Sequence, residues 1–197
     1  AFVAELRRRG MGQIFDVVPN HMGIGEPCNG WWMDVLESGQ SSPYAPFFDV
    51  DWRPLKPELA GKVLLPVLGG QYGQVLESQE LLLGYDEGRG FFVRYHDHTF
   101  PISPAGSAEV LRICLQAMGS RHDDRCLREL SDIAATLSQL PGGRPLDPER
   151  ATELLREKTA AKRRLANLCT SWPKLSGTIQ EALRTYNGKK GDPRSVD

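Results

Sequence analysis

Residues 16–23 read DVVPNHMG: an apolar, β-branched run stops at Pro19 and then presents Asn20, His21 and a glycine. Extended upstream, the run is QIFDVV (13–18), apolar on both sides of Asp16. Continuous apolar character over so short a run predicts a parallel strand covered on both faces. The chain opens AFVAELRRRGMG (1–12), in which Phe2, Val3 and Leu6 share a helical face and Gly10 stands where a helix would stop. Helix, glycine turn and buried strand make half of a βα repeat, so the expected fold class is α/β. Functional groups in such folds gather at the carboxyl ends of strands, where Asn20 and His21 stand. Asp16, if buried in this run, needs a charged or hydrogen-bonding partner. The opening has no initiator Met and already lies inside a helical pattern, which reads as a piece that begins partway through a fold.

Composition narrows the function classes. The 197 residues are 40% hydrophobic and 25% charged, with a formal net charge of −1. That length can bury a sizeable core, and that balance gives no basic surface for nucleic acid. No apolar run approaches the roughly 20 residues of a membrane span, and no signal peptide heads the chain. Cys28, Cys114, Cys126 and Cys169 lie far apart and form no CxxC pair, so in an intracellular setting they read as free thiols, three of them on helix faces, and the expected compartment is the cytoplasm.

From 23 to about 60 the chain is irregular and aromatic, with Trp31, Trp32, Tyr44, Phe47, Phe48 and Trp52 set among Pro, Gly and Ser. NGWWMDVLESG (29–39) predicts a short helix capped by Asn29 and stopped by Gly39. KVLLPVL (62–68), QELLLGY (79–85) and GFFVRYHDHTFPI (90–102) predict strands, the last two joined through DEGRG (86–90). From Ser107 the period becomes helical. One stripe runs through Val110, Leu111, Cys114, Leu115 and Met118, and a second through Leu127, Leu130, Ile133, Ala134, Leu137 and Leu140. A third holds Ala151, Leu154, Leu155, Leu165, Leu168 and Cys169, and a fourth Ile179, Ala182, Leu183 and Tyr186. PGGRPLDP (141–148) separates the second from the third, with Asp147 as N-cap before Pro148. The polar tail NGKKGDPRSVD (187–197) is expected to fray or to link onward.

DVVPNHMG resembles the first signature segment of the α-amylase superfamily (the family 13 type of glycoside hydrolase), which ends the third strand of a (β/α)8 barrel. Residues 19–52, KVLLPVLGGQYGQVLESQEL (62–81) and VRYHDHTFPISP (93–104) are similar, more specifically, to the maltooligosyltrehalose synthases within it. The resemblance implies barrel material at 1–22, an inserted subdomain of aromatic loops and a small antiparallel sheet at 23–106, and a helical part of that insertion at 107–197. The expected architecture is thus part of a (β/α)8 barrel plus mixed α+β inserted structure. Synthases of this kind convert the reducing-end α-1,4 linkage of a maltooligosaccharide into an α,α-1,1 linkage, leaving a terminal trehalose unit.

Retaining chemistry on a glycosidic bond uses a carboxylate nucleophile and a carboxylic acid roughly 5 Å apart, and donors on the sugar hydroxyls that tighten in the transition state. By the resemblance His21 is such a donor, Asn20 fixes the loop or a neighbouring side chain, and Asp16 pairs with a cation on the following strand. Trp31, Trp32, Tyr44 and Trp52 are candidates to stack on sugar faces, as aromatic rings also do in hydrophobic loop cores. In YHDHTF (95–100) the alternation puts His96 and His98 on one face of a strand, but no third ligand completes a metal site. The resemblance to the synthases implies that Asp97 and His98 are contacts at the rim of the sugar cleft. No cofactor and no metal is expected.

The segments that carry the superfamily's nucleophile, acid and third carboxylate have no counterpart here, and RHDD (121–124) stands at a helix start. No catalytic residue is therefore assigned, and the chain reads as an excised stretch of a longer synthase, inactive alone. Its expected partners are a maltooligosaccharide, the remainder of the barrel in the same parent chain and, through the apolar faces of 13–18, a second copy of itself. A non-catalytic carbohydrate-binding or scaffold module and another hydrolase of the superfamily are the alternative readings.

Overall fold

The computed structural model describes residues 2–18, 23–24, 29–118 and 124–189. Asn20, His21, Cys28, residues 121–123 of RHDD and residues 190–197 lie outside them. Within the described residues the chain is α+β: helices surround one small antiparallel sheet.

Helix α1 (Phe2–Arg8) ends before Gly10 and buries none of its residues. Residues 11–18 follow as exposed chain without strand structure. This corrects the expected buried strand. Pairing makes a strand, and among the described residues no ladder includes 13–18. Ile14 is 98% exposed, and Phe15, Val17 and Val18 are also open to solvent. Asp16 is exposed too, and among the described residues no ion pair reaches it.

Helix α2 (Gly30–Ser38) forms as its caps dictate. Asn29 Oδ1 accepts from the Trp32 backbone N–H at 3.1 Å, and Gly39 ends the helix at φ 59°, a left-handed value that costs glycine little. Three 3-10 turns (Gly39–Ser41, Ala45–Phe47, Pro57–Leu59) fold the following loop back. A small core forms there from Trp32, Val35 and Ala45, with Phe48, Trp52, Val63 and Leu65 against it.

KVLLPVL is extended but unpaired, a second correction. Its exposure alternates as a strand's would, with Val63 and Leu65 inward and Leu64 outward. Pro66 has no N–H to give a ladder, and the Val67 N–H turns back to the Leu65 carbonyl at 2.9 Å. A short helix, α3 (Tyr72–Glu77), precedes the sheet.

The sheet runs β1 (Leu81–Asp86), β2 (Gly90–Tyr95), β3 (His98–Pro101), in that order. The turn between β1 and β2 is the expected one, with Asp86 Oδ1 accepting from the Gly88 and Arg89 N–H groups. The expected single strand 90–102 is instead two, reversing at His96 and Asp97 so that Tyr95 pairs with His98. His96 takes φ 48°, the positive value that two-residue hairpin turns favour. Contrary to the expected period-2 alternation, His96 and His98 therefore do not share a strand face. At the free edge of β1, the Asn187 amide stands in for a neighbouring strand: Leu83 N–H donates to its Oδ1 at 2.7 Å, and its Nδ2 donates to the Leu83 carbonyl at 3.0 Å.

Four long helices build the main core: α4 (Pro104–Met118), α5 (Asp124–Gln139), α6 (Pro148–Ser171) and α7 (Pro173–Asn187). Leu111, Cys114, Leu130, Ile133, Leu175 and Ile179 are fully enclosed there, and Phe91, Leu83 and Tyr85 bring the sheet against them. Each buried leucine or isoleucine is worth about 1.5–3 kcal/mol relative to exposure. Asp147 Oδ1 caps α6 by accepting from the Arg150 N–H at 2.9 Å. Trp172 breaks α6 from α7 because the residue before Pro173 is driven out of helical geometry.

Candidate functional site

Helix α2 divides its side chains three ways. Trp32 and Val35 point into the small core, at 5% and 0% exposure. Asp34, Glu37 and Ser38 are buried against α6. Trp31 is left on the outer face, 42% exposed.

The two 3-10 turns after α2 return Tyr44 and Phe47 to that outer face. Phe47 N–H donates to the Tyr44 carbonyl at 3.0 Å, and side chains three apart in a 3-10 turn eclipse one another. The Trp31 and Tyr44 rings stack with centroids 5.0 Å apart and planes 10° from parallel. Phe47 lies 5.1 Å from Trp31 at 36° and remains 64% exposed. Indole and phenyl surface is thus clustered at the boundary with solvent, which makes the cluster a candidate contact for a ligand.

Behind this platform sits a buried ionic network. Lys158 of α6, 2% exposed, donates to Asp34 Oδ1 at 2.5 Å and Ser38 Oγ at 2.7 Å, and pairs with Glu37 Oε2 at 3.1 Å. Lys162 takes Glu37 Oε1 at 2.7 Å, and Ser42 Oγ donates to Asp34 Oδ2 at 2.6 Å. Two carboxylates meet two ammonium groups, so the buried charge balances. Beside the network, a cavity of about 480 Å³ is lined by Met33, Glu37, Phe92, Thr99 and Lys162.

Of the sequence candidates, the structure brings Trp31 and Tyr44 together. Trp32 is a core residue, tilted against Phe48 with centroids 5.0 Å apart, which removes it as a ligand contact: an enclosed ring offers no face. Trp52 is half-buried on the same core, and its carbonyl accepts from the Gly61 N–H. Asp97 is exposed at the hairpin tip, and His98 is half-buried with its ring stacked on Phe100 at 5.9 Å. Neither belongs to the aromatic cluster. His96 pairs with Glu80 at 3.2 Å.

Sequence reasoning missed Phe47 as a site residue, although its place three after Tyr44 beside Pro46 was a signal for a shared face. It also missed the Asp34–Glu37–Lys158–Lys162 network. Among the described residues, no group of three His, Cys, Asp or Glu is placed to hold a metal ion, and no helix is long and apolar enough to cross a membrane.

No family model matches this chain, and no solved structure matches it. Two proteins from two strains of Mycobacterium tuberculosis, each named "Putative maltooligosyl trehalose synthase", are 44% identical to it over 103 residues. The match covers 51% of this chain but 12% of each relative, so the chain spans far less than two thirds of their length. The chain is thus similar over half its length to part of two proteins that carry that putative name.

Proposed function

We propose that this chain is a segment of a maltooligosyltrehalose synthase, an isomerase that moves the reducing-end glucose of an α-1,4-glucan from an α-1,4 to an α,α-1,1 linkage. The observation that carries the reading is the 44% identity over 103 residues to relatives of that name. In this reading residues 1–22 supply a helix and the third strand of a (β/α)8 barrel, and the exposed apolar run 13–18 is the surface that packs against its neighbouring strands. Residues 23–106 and 107–197 form the structure inserted after it. The working compartment is the cytoplasm, where buried free thiols such as Cys114, Cys126 and Cys169 persist.

The chemistry needs a carboxylate to attack the anomeric carbon, an acid to protonate the departing oxygen, and an acceptor. For isomerisation the acceptor is the C1 hydroxyl of the released glucose, held in place while water is kept out. The two carboxylates come from elsewhere in the longer protein. This chain contributes sugar binding: His21 donates to hydroxyls, Asn20 orders the loop, and Asp16 pairs with a cation on the next barrel strand. Trp31, Tyr44 and Phe47 stack on sugar rings further along the glucan. In the same reading Asp97 and His98 are rim contacts and Trp52 is a further ring available to stack on sugar.

A non-catalytic glucan-binding module is the second reading, favoured by the exposed Trp31–Tyr44–Phe47 stack on this chain itself. The test is to isolate the protein carrying this sequence from its source cells and supply maltopentaose. Loss of reducing ends without release of glucose is isomerisation and supports the proposal. Released reducing sugar means hydrolysis, and bound but unchanged pentaose means a binding module.

A further inference from the structure

The cavity of about 480 Å³ beside the ionic network is walled by α2, the sheet and α6. Thr99 and Pro101, two apart on β3, share the sheet face of Phe92, which pairs with Pro101. Helix α2 adds Met33, and the turn between β1 and β2 adds Arg89. Helix α6 adds Lys162, whose stem crosses the Gly90 backbone: a Cβ there would stand 3.3 Å from Lys162 Cε. Among the described residues, the charged side chains lining the cavity are Glu37, Arg89 and Lys162. Glu37 and Lys162 answer one another at 2.7 Å. Asp86, across the turn, is held by the Gly88 and Arg89 backbone N–H groups. Among the described residues no ion pair or hydrogen bond reaches the Arg89 guanidinium. The wall therefore carries one unbalanced positive charge beside the apolar surface of Met33, Phe92 and Pro101.

We propose that this cavity binds a small organic monocarboxylate, its head on Arg89 and its apolar body against Met33, Phe92 and Pro101. A guanidinium fork matches the two oxygens of a carboxylate. A single negative charge balances Arg89, whereas a neutral ligand leaves it unanswered and a dianion overshoots. The volume falls within the range of about 300–1,000 Å³ common to small-molecule sites, which pair apolar walls with a few polar groups. The Thr99 hydroxyl and the remaining N–H groups of Lys162 supply further donors. The proposal goes beyond the glucan reading, since none of Trp31, Tyr44 and Phe47 lines this cavity.

The experiment separates the charge from the ring. Naphthoate is titrated into the protein and followed by amide NMR, beside acetate (the same head without the ring) and naphthylmethanol (the same ring without the charge). Naphthoate should bind more tightly than either control and shift the amide signals of Gly88, Arg89 and Thr99. Arg89→Gln should weaken naphthoate roughly tenfold, the scale of one charge-assisted hydrogen bond. Arg53→Gln removes the same charge from an exposed position outside the cavity and should leave the affinity unchanged. Because Arg89 is exposed, both variants should keep the wild-type melting temperature. A wild type that binds no naphthoate, signal shifts confined to other residues, naphthylmethanol binding as tightly, or unchanged affinity in Arg89→Gln would each overturn the proposal.

Discussion

Lys158 on α6 and Asp34 on α2, 124 residues apart in the chain, meet in a buried contact of 2.5 Å between Nζ and Oδ1. With the Lys158–Ser38, Lys162–Glu37 and Ser41–Arg144 contacts, this bond ties the aromatic loop region to the helical region, whose apolar cores are separate clusters. Burying these charges gives little net stability while the network is intact, but removing one member leaves the others uncompensated.

Lys158→Met should therefore cost about 3–5 kcal/mol. The contrast is Arg164→Met, which breaks the half-exposed Arg164–Glu129 pair at 2.8 Å and should cost less than about 1 kcal/mol. Urea denaturation of both variants checks this. Equal losses would mean that the Lys158 network behaves as a surface pair.

Gly84 lies opposite Phe92 in the β1–β2 ladder, and a Cβ there would sit 2.7 Å from the Phe92 ring. A methyl group there forces the Phe92 ring to move. Gly84→Ala should destabilise the chain by about 1–3 kcal/mol through overpacking, and Phe92→Leu in the same molecule should recover part of the loss. Thermal melts of the single and double variants measure the coupling.

Burial pushes the Cys114 thiol up to about 11 from its ordinary 9.0. As pH climbs from 9 toward 11, the unfolded chain ionises this thiol and the folded chain does not. The stabilising difference is whole below 9 and is lost across that window. Cys114→Ala should flatten this alkaline loss of stability in denaturation curves taken between pH 8 and 11. Iodoacetamide mapping at pH 8 should find Cys114 unmodified in folded protein and modified in urea.

Ile14, Phe15, Val17 and Val18 expose apolar surface on an unpaired stretch of backbone. An unpaired apolar segment is a template for association. Sedimentation of this chain should show concentration-dependent self-association, abolished by the pair Ile14→Lys and Val18→Lys with no change in melting temperature. Association that survives both substitutions would locate it elsewhere.

The helical half was legible because its stripes repeat at helical spacing. Val110, Leu111, Cys114 and Met118 are all buried where the period puts them, and Asp147 caps α6 as its place before Pro148 requires. The run 13–18 forms no ladder among the described residues because apolar residues state what a segment could bury, whereas a ladder depends on a neighbour. KVLLPVL failed as a strand for the same reason, with Pro66 removing a donor. The His96 turn was hidden because neither tip residue is the Gly that usually announces a two-residue hairpin. At the site, composition pointed to aromatic residues but could not sort them. Only the fold separates Trp31 on the open face of α2 from Trp32, one residue later, on the closed one. Lys158 was invisible for a further reason: a lysine on a helix ordinarily faces water, and its partners lie over a hundred residues upstream.

That the exposed stack on α2 binds an α-1,4-glucan is the claim put to calorimetric titration of maltopentaose against wild type, Trp31→Ala and Phe47→Ala. A stacked ring contributes about 1 kcal/mol, so each substitution should weaken binding roughly fivefold while the melting temperature holds, because both rings are partly in solvent. Affinity unchanged in both variants, or no binding by the wild type, would contradict the claim.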